Sequence, residues 1–128
     1  HYAARSVTSL KCPARSPTHI MWNEPNPYQL AKMPALYSTE HIPWQDKIIH
    51  EHYFISGCDW YAAEYDPKDR LYFGYAIMNR DFDNSEWGYF SHDELADLRH
   101  HGIEVDRDVH WTPTKAGSID DIVRGMRR

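Results

Sequence analysis

Between Trp60 and Trp111 the chain alternates runs dense in Trp, Tyr and Phe with short turns built from Asp, Pro and Gly. Aromatic side chains of this density suit a pleated, half-buried surface, and links of four to seven residues leave no room for the crossover that parallel strands need. The stretch therefore predicts an antiparallel meander. Lys47 to Ile55 reads as a strand, with Ile49, Tyr53 and Ile55 on one face and Ile48, His50, His52 and Phe54 on the other. Ser56-Gly57-Cys58-Asp59 supplies a turn, and Trp60 to Tyr65 follows as a second strand. Strict alternation puts Tyr61, Ala63 and Tyr65 on one side of it and Trp60, Ala62 and Glu64 on the other. After the turn Asp66-Pro67-Lys68-Asp69, Leu71 to Met78 is the third strand and Glu86 to Phe90 a short fourth, with a polar loop from Asn79 to Ser85 between them.

Helices are marked by their caps. Asn26 with Pro27 predicts a short helix within Pro25 to Met33, stopped by Pro34. Ser91 with Glu94 forms an S-x-x-E box that opens a helix from His92 to about His100, with Gly102 at its exit and His100-His101 set against its negative end. Leu95 and Leu98 give that helix one narrow apolar stripe, enough to lie on a sheet. Val105 to Thr112 offers a last strand, and Ser118 with Asp121 a cap for a C-terminal helix through Met126. The fold class expected is α+β: a mainly antiparallel sheet of four or five strands with a helix packed on one face and short helices at both ends.

The 128 residues carry a formal net charge of −5, but the charge is uneven. Residues 1–20 contain Arg5, Lys11 and Arg15 and no acid, whereas residues 21–117 carry 17 acids against 8 bases. Phosphate backbones are bound by Lys and Arg that displace counterions, so an acidic body argues against nucleic acid and for a basic protein partner. The aromatic residues Tyr61, Tyr65, Tyr72 and Tyr75 are accordingly assigned to the core rather than to base stacking. No apolar run reaches the roughly 18 residues of a membrane span. Cys12 and Cys58 belong to no C-x-x-C pair and suggest no disulfide framework, which favours a reducing cytoplasm. Residues 1–20 read as an appendage, with a domain running from Met21 to Arg128.

A series of short motifs runs in order along the chain: Pro34-x-Leu36-Tyr37, Trp60-Tyr61-x-x-Glu64-Tyr65-Asp66, Phe73-Gly74, Gly88-Tyr89-Phe90-Ser91-x-x-Glu94-Leu95 and Val105-x-Arg107-Asp108-x-x-Trp111-x-Pro113. The series resembles the bacterial family called domain of unknown function 2958, over residues from near Leu30 to Lys115. The resemblance implies a small protein of the kind often encoded on plasmids and other mobile DNA. It implies no agreed activity and no catalytic residues. The front segment and the Asn79 to Ser85 insertion depart from the family's usual pattern.

Candidate sites are few. His50 and His52 project to one side of their strand and can reach one metal ion, with Glu64 as a third ligand if the second strand lies opposite. Glu64 among Trp60 and Tyr61 can act as a general acid if burial raises its pKa, but a carboxylate in such a place is more often paired, here with Arg107. Arg107 and Asp108 can orient a ligand or lock the last strand. No G-x-S-x-G elbow and no phosphate-cradling Gly-rich loop is present.

The leading expectation is a non-enzymatic accessory protein of a mobile element that needs no cofactor. It binds a basic protein through an acidic surface with exposed aromatics, at its sharpest as a mimic of DNA. Trp60, Tyr61, Glu64, Tyr89, Arg107 and Asp108 are its binding candidates. The alternative is a small hydrolase-like or metal-assisted enzyme using Glu64 with His50 or His52. A free edge strand would also permit a homodimer.

Overall fold

The computed structural model describes residues 23–127, and the expectations for residues 1–20, Met21 and Cys12 lie outside that range. Its frame is a five-stranded antiparallel sheet in the order β5-β4-β3-β2-β8. The strands are β2 (Glu51–Ile55), β3 (Cys58–Asp66), β4 (Leu71–Ile77), β5 (Glu86–Ser91) and β8 (Asp106–Arg107). Two further pairs of two-residue strands flank or extend it: β1 (Ile48–Ile49) pairs with β9 (Thr114–Lys115), and β6 (Arg99–His100) pairs with β7 (Ile103–Glu104). The α+β class and the meander are as the sequence predicts.

Turn chemistry sets the register of the first hairpin. Ser56 and Gly57 both hold positive φ, 43° and 85°, so the loop is only two residues long and Ile55 faces Cys58 directly. β3 then pairs with β4 until a bulge between Ala62 and Glu64 inserts one residue. The bulge overturns the alternation read from sequence. Trp60, Ala62 and Tyr65 share one hydrophobic cluster, while Tyr61 and Ala63 belong to another across the sheet. Glu64 stands opposite Phe73 and so lies on the Tyr61 side instead of the Trp60 side. At Gly74 an added Cβ would sit 1.9 Å from the Tyr61 carbonyl oxygen, so the backbones of β3 and β4 approach too closely there for any side chain.

Both faces of the sheet are covered, not one. On the first, Tyr53, Trp60, Tyr72 and Phe90 pack against Leu95 and Ala96 of α2 (His92–Asp97), with Met33, Leu98 and Val105 completing the layer. On the second, Tyr61, Tyr75 and Ile77 pack against Ile49, Ala116, Ile119 and Ile122, the last from α3 (Asp120–Met126). Full burial of each large aromatic contributes roughly 1.5–3 kcal/mol, which makes these two layers the main source of stability.

The N-terminal cap behaves as read. Asn26 accepts from the Gln29 amide and Gln29 reciprocates, opening α1 (Pro27–Ala31). Ser91 likewise caps α2 by accepting from Glu94 N at 3.2 Å. α2, however, ends at Asp97. Leu98 turns extended, and His101 and Gly102, with φ of 51° and 79°, form a two-residue hairpin between β6 and β7. His100 and His101 are thus hairpin residues and not a helix C-terminus. At α3 the capping residue is Ile119, with no side-chain bond, and Ser118 falls in the preceding 3-10 turn. No helix among the described residues is long and apolar enough to cross a membrane.

Candidate functional site

The polar groups inside this fold form three sets, two closed and one open. The first closed set surrounds Glu64, which is fully buried. Its carboxylate accepts from Tyr37 N at 2.8 Å, from Thr39 N at 3.2 Å and from the Thr39 hydroxyl. Lys47, also buried, donates from Nζ to Thr39 Oγ1 at 3.1 Å and to the Thr39 carbonyl. Burial pushes the Lys47 ammonium below its ordinary pKa, and the carboxylates of Glu64 and Glu40 pull it part of the way back. The set fastens the segment around Tyr37 to Thr39 onto the sheet, because Glu64 satisfies two backbone amides that burial would otherwise leave unpaired.

The second closed set is a hydrogen-bonded chain through the other layer. His92 Nε2 lies 2.8 Å from Glu24 Oε2, His92 Nδ1 lies 2.8 Å from the Tyr72 hydroxyl, and Tyr72 lies 2.7 Å from the Tyr53 hydroxyl. A carboxylate only accepts, so the Nε2 proton points to Glu24, Tyr72 donates to Nδ1, and Tyr53 donates to Tyr72. Burial lowers the His92 pKa against the opposing pull of Glu24.

The open set centres on His52. Its ring stacks on Tyr61 at 4.5 Å and 3°, with Trp111 and Phe54 each 5.4 Å away. Nε2 bonds Asp59 Oδ1 at 2.8 Å, so Nε2 carries the proton and the Nδ1 lone pair is left on a buried atom. That Nδ1 has no hydrogen-bond partner among the described residues, and the nearest charged group is Asp108 Oδ2 at 4.0 Å. A lone pair facing a carboxylate is an acceptor pair without a donor. A hollow of about 570 Å3 opens here, lined by His52, Phe54, Asp59, Arg80, Arg107, Asp108, Val109 and His110 among others.

Phe54 forms the ridge between this hollow and a second one of about 360 Å3 that includes Asn23, Ile103, Glu104 and Asp106. Phe54, Val109 and Ile103 are 39%, 51% and 60% exposed, three of the five exposed large hydrophobics among the described residues. The structure therefore gathers exposed apolar side chains and carboxylates along the β2–β8 edge.

Of the residues singled out from sequence, Trp60, Tyr61, Glu64 and Tyr89 are buried and offer no surface to a macromolecule. Arg107 and Asp108 do line the open hollow. Arg107 pairs with Glu51 at 3.5 Å and donates from Nε to Asn23 O at 2.7 Å, so its carboxylate partner is Glu51 in place of the expected Glu64. The register explains this: Arg107 faces Tyr53 on β2, two residues along from Glu51. Burial raises the Glu51 pKa, and Arg107 opposes the rise.

Glu64 and His52 lie on the same side of the sheet, yet their hydrogen bonds run to different partners, Tyr37 and Thr39 for one and Asp59 for the other. His50 is half-buried, with its pKa lowered by burial. Among the described residues no three His, Cys, Asp or Glu side chains come together in a way that would hold a metal ion.

Phe54, Asp59, Val109 and Ile103 were not legible as site residues. The one available signal was that the His50, His52, Phe54 side of the first strand mixes apolar and polar groups, as a half-exposed face does.

These features define an aromatic-rich antiparallel α+β domain with an open hollow at one sheet edge, lined by Asp59 and Asp108 as well as Arg80 and Arg107. The chain belongs to the family described as "Protein of unknown function (DUF2958)", whose profile matches residues 45–119. No curated protein and no solved structure matches it.

Proposed function

We propose that this protein is an accessory binding protein whose β2–β8 edge docks a basic segment of another protein, in keeping with the mobile-element setting that the family resemblance implies. The observation that carries the reading is the half-exposed Asp108 carboxylate beside exposed Phe54 and Val109 in the lining of the hollow. A lysine or arginine side chain entering the hollow donates to Asp108, and its aliphatic stem lies on Phe54 and Val109. Glu104 and Asp106 around the second hollow extend the acidic rim. An apolar ridge bordered by charge is the usual form of a binding hot spot. A DNA-mimicking role is the sharpest form of the proposal; a cytoplasmic location, expected from cysteines that suggest no disulfide, loses that support because Cys58 is disulfide-bonded.

The shared-centre enzyme reading with Glu64 and His50 or His52 gains no support from this geometry. Glu64 would have to release its bonds to Tyr37 and Thr39 to reach substrate.

The test is affinity capture from cell lysate with the wild-type protein and with Phe54→Ala and Asp108→Asn. A basic protein captured by the wild type, released by roughly half-molar salt and weakened at least about tenfold by each substitution is the expected result. Equal capture by all three proteins, or no basic protein captured at all, overturns it. Both substitutions are at exposed or half-exposed positions and leave unfolding stability within about 0.5 kcal/mol.

A further inference from the structure

The acidic body carries one corner of opposite character. Arg80, Arg124 and Arg127 line a hollow of about 440 Å3 together with Phe82, Asp81 and Asp83. Two of the three guanidinium groups are held by the same ring: the Arg80 Cζ lies 4.6 Å and the Arg124 Cζ 4.3 Å from the Phe82 centroid. Two cations are therefore gathered around one ring at the edge of the hollow, each attracted by the ring's electrons and each repelling the other.

The carboxylates nearby are largely committed elsewhere. Asp121 bonds Arg80 at 3.2 Å and also accepts from the Tyr61 hydroxyl at 3.1 Å, and Asp81 accepts from the Asn84 amide at 2.7 Å. Arg80 is thereby fixed in place. Among the described residues no carboxylate lies within ion-pair distance of Arg124 or Arg127, both of which are exposed. Arg124 leans over Phe82, and among the described residues its side chain makes no hydrogen bond to the carbonyls at the end of α3. Simple helix capping does not account for its position.

We infer that this hollow is an anion site for a phosphomonoester dianion, whether free in solution or carried on a side chain. Arg124 and Arg127 supply the forked donors, and Arg80, tethered by Asp121, is the positioned third cation. Several planar guanidinium forks around one small volume match the tetrahedral oxygens of a phosphate better than they match a planar carboxylate. Asp83 in the same lining keeps the affinity modest and sets a charge selection against larger polyanions such as nucleic acid. The site shares Arg80 with the hollow at the docking edge, but it rests on Arg124 and Arg127, which do not line that hollow, and neither proposal depends on the other.

The experiment is an NMR titration of the full chain that follows the arginine Nε–Hε signals, with inorganic phosphate in one arm and a short phosphoserine peptide in the other. Potassium chloride at matched ionic strength is the reference. Saturable shifts of the Arg124 and Arg127 signals with phosphate and not with chloride are expected. Binding should fall at least about tenfold in the Arg124→Gln/Arg127→Gln variant, since each removes a charge-assisted bond. A tighter fit to the peptide identifies a phosphorylated protein as the source, and an equal or weaker fit identifies free phosphate. The variant's thermal unfolding should match the wild type, because both side chains are exposed. Shifts equal to those with chloride, or binding unchanged in the double variant, overturn the inference.

Discussion

Glu64 and His52 sit on the same side of the same sheet, and their surroundings differ in one respect that decides their roles. Glu64 is enclosed, with its carboxylate filled by two backbone amides and a hydroxyl. His52 has one ring nitrogen filled by Asp59 and the other unbonded and buried, while its ring lines an open hollow. A buried charge with all its bonds made is a fastening, whereas an aromatic ring in the lining of an open hollow can meet a ligand. From sequence alone the carboxylate looked the more chemical of the two, and completeness of hydrogen bonding reverses that order.

The sharpest way to break this comparison is Glu64→Ala. It strands the Tyr37 and Thr39 amides and leaves the buried Lys47 without the carboxylate that supports its charge, so a loss of about 3–5 kcal/mol in denaturant unfolding is expected. A loss under about 1 kcal/mol would show that Glu64 is not a fastening. His52→Ala comes next. It removes one bond to Asp59 and a ring stacked on Tyr61, and about 1–2 kcal/mol by the same measurement separates it from Glu64.

Acid sensitivity gives the smallest effect. His50 and His92 both have pKa values lowered by burial in the folded chain, so below the ordinary value near 6.5 the unfolded chain binds protons that the folded chain resists. Stability is therefore full above that value and declines as pH falls through it toward the folded pKa values. Unfolding midpoints measured at about pH 7.5 and pH 5.5 should fall on acidification, and His92→Gln should flatten the slope. Glu51, whose pKa burial raises, works in the opposite direction at lower pH. A midpoint independent of pH across this window would show that the Tyr72–His92–Glu24 chain does not hold a neutral imidazole.

Much of the frame was legible because it is written locally. Asn26-Pro27 and Ser91-x-x-Glu94 are caps whose partners lie within one helical turn, and the aromatic strands are bounded by their own turn residues. What was not legible depends on the neighbouring strand or on space. Gly102 reads equally as a helix exit and as the second residue of a tight hairpin, and only the pairing of His100 with Ile103 decides it. Arg107 chose Glu51 because β8 docks on β2, a register that no spacing in the sequence encodes. Phe54 looked like any strand phenylalanine, and its exposure follows from lying beyond the cover of either layer.

The extra residue in β3 carries a consequence for how this protein can vary through time. Because Ala62 to Glu64 holds one position more than its partner strand, loss of Ala63 would only restore the regular ladder and leave Glu64 and Tyr65 in their present layers, whereas a residue added elsewhere in β3 would turn the residues on one side of it into the wrong layer. Substitutions along β3 change one side chain at a time, but an added residue rewrites a whole row. Descendants of this sequence should therefore tolerate insertions freely in the Asn79 to Ser85 loop and almost never in the nine residues from Cys58 to Asp66.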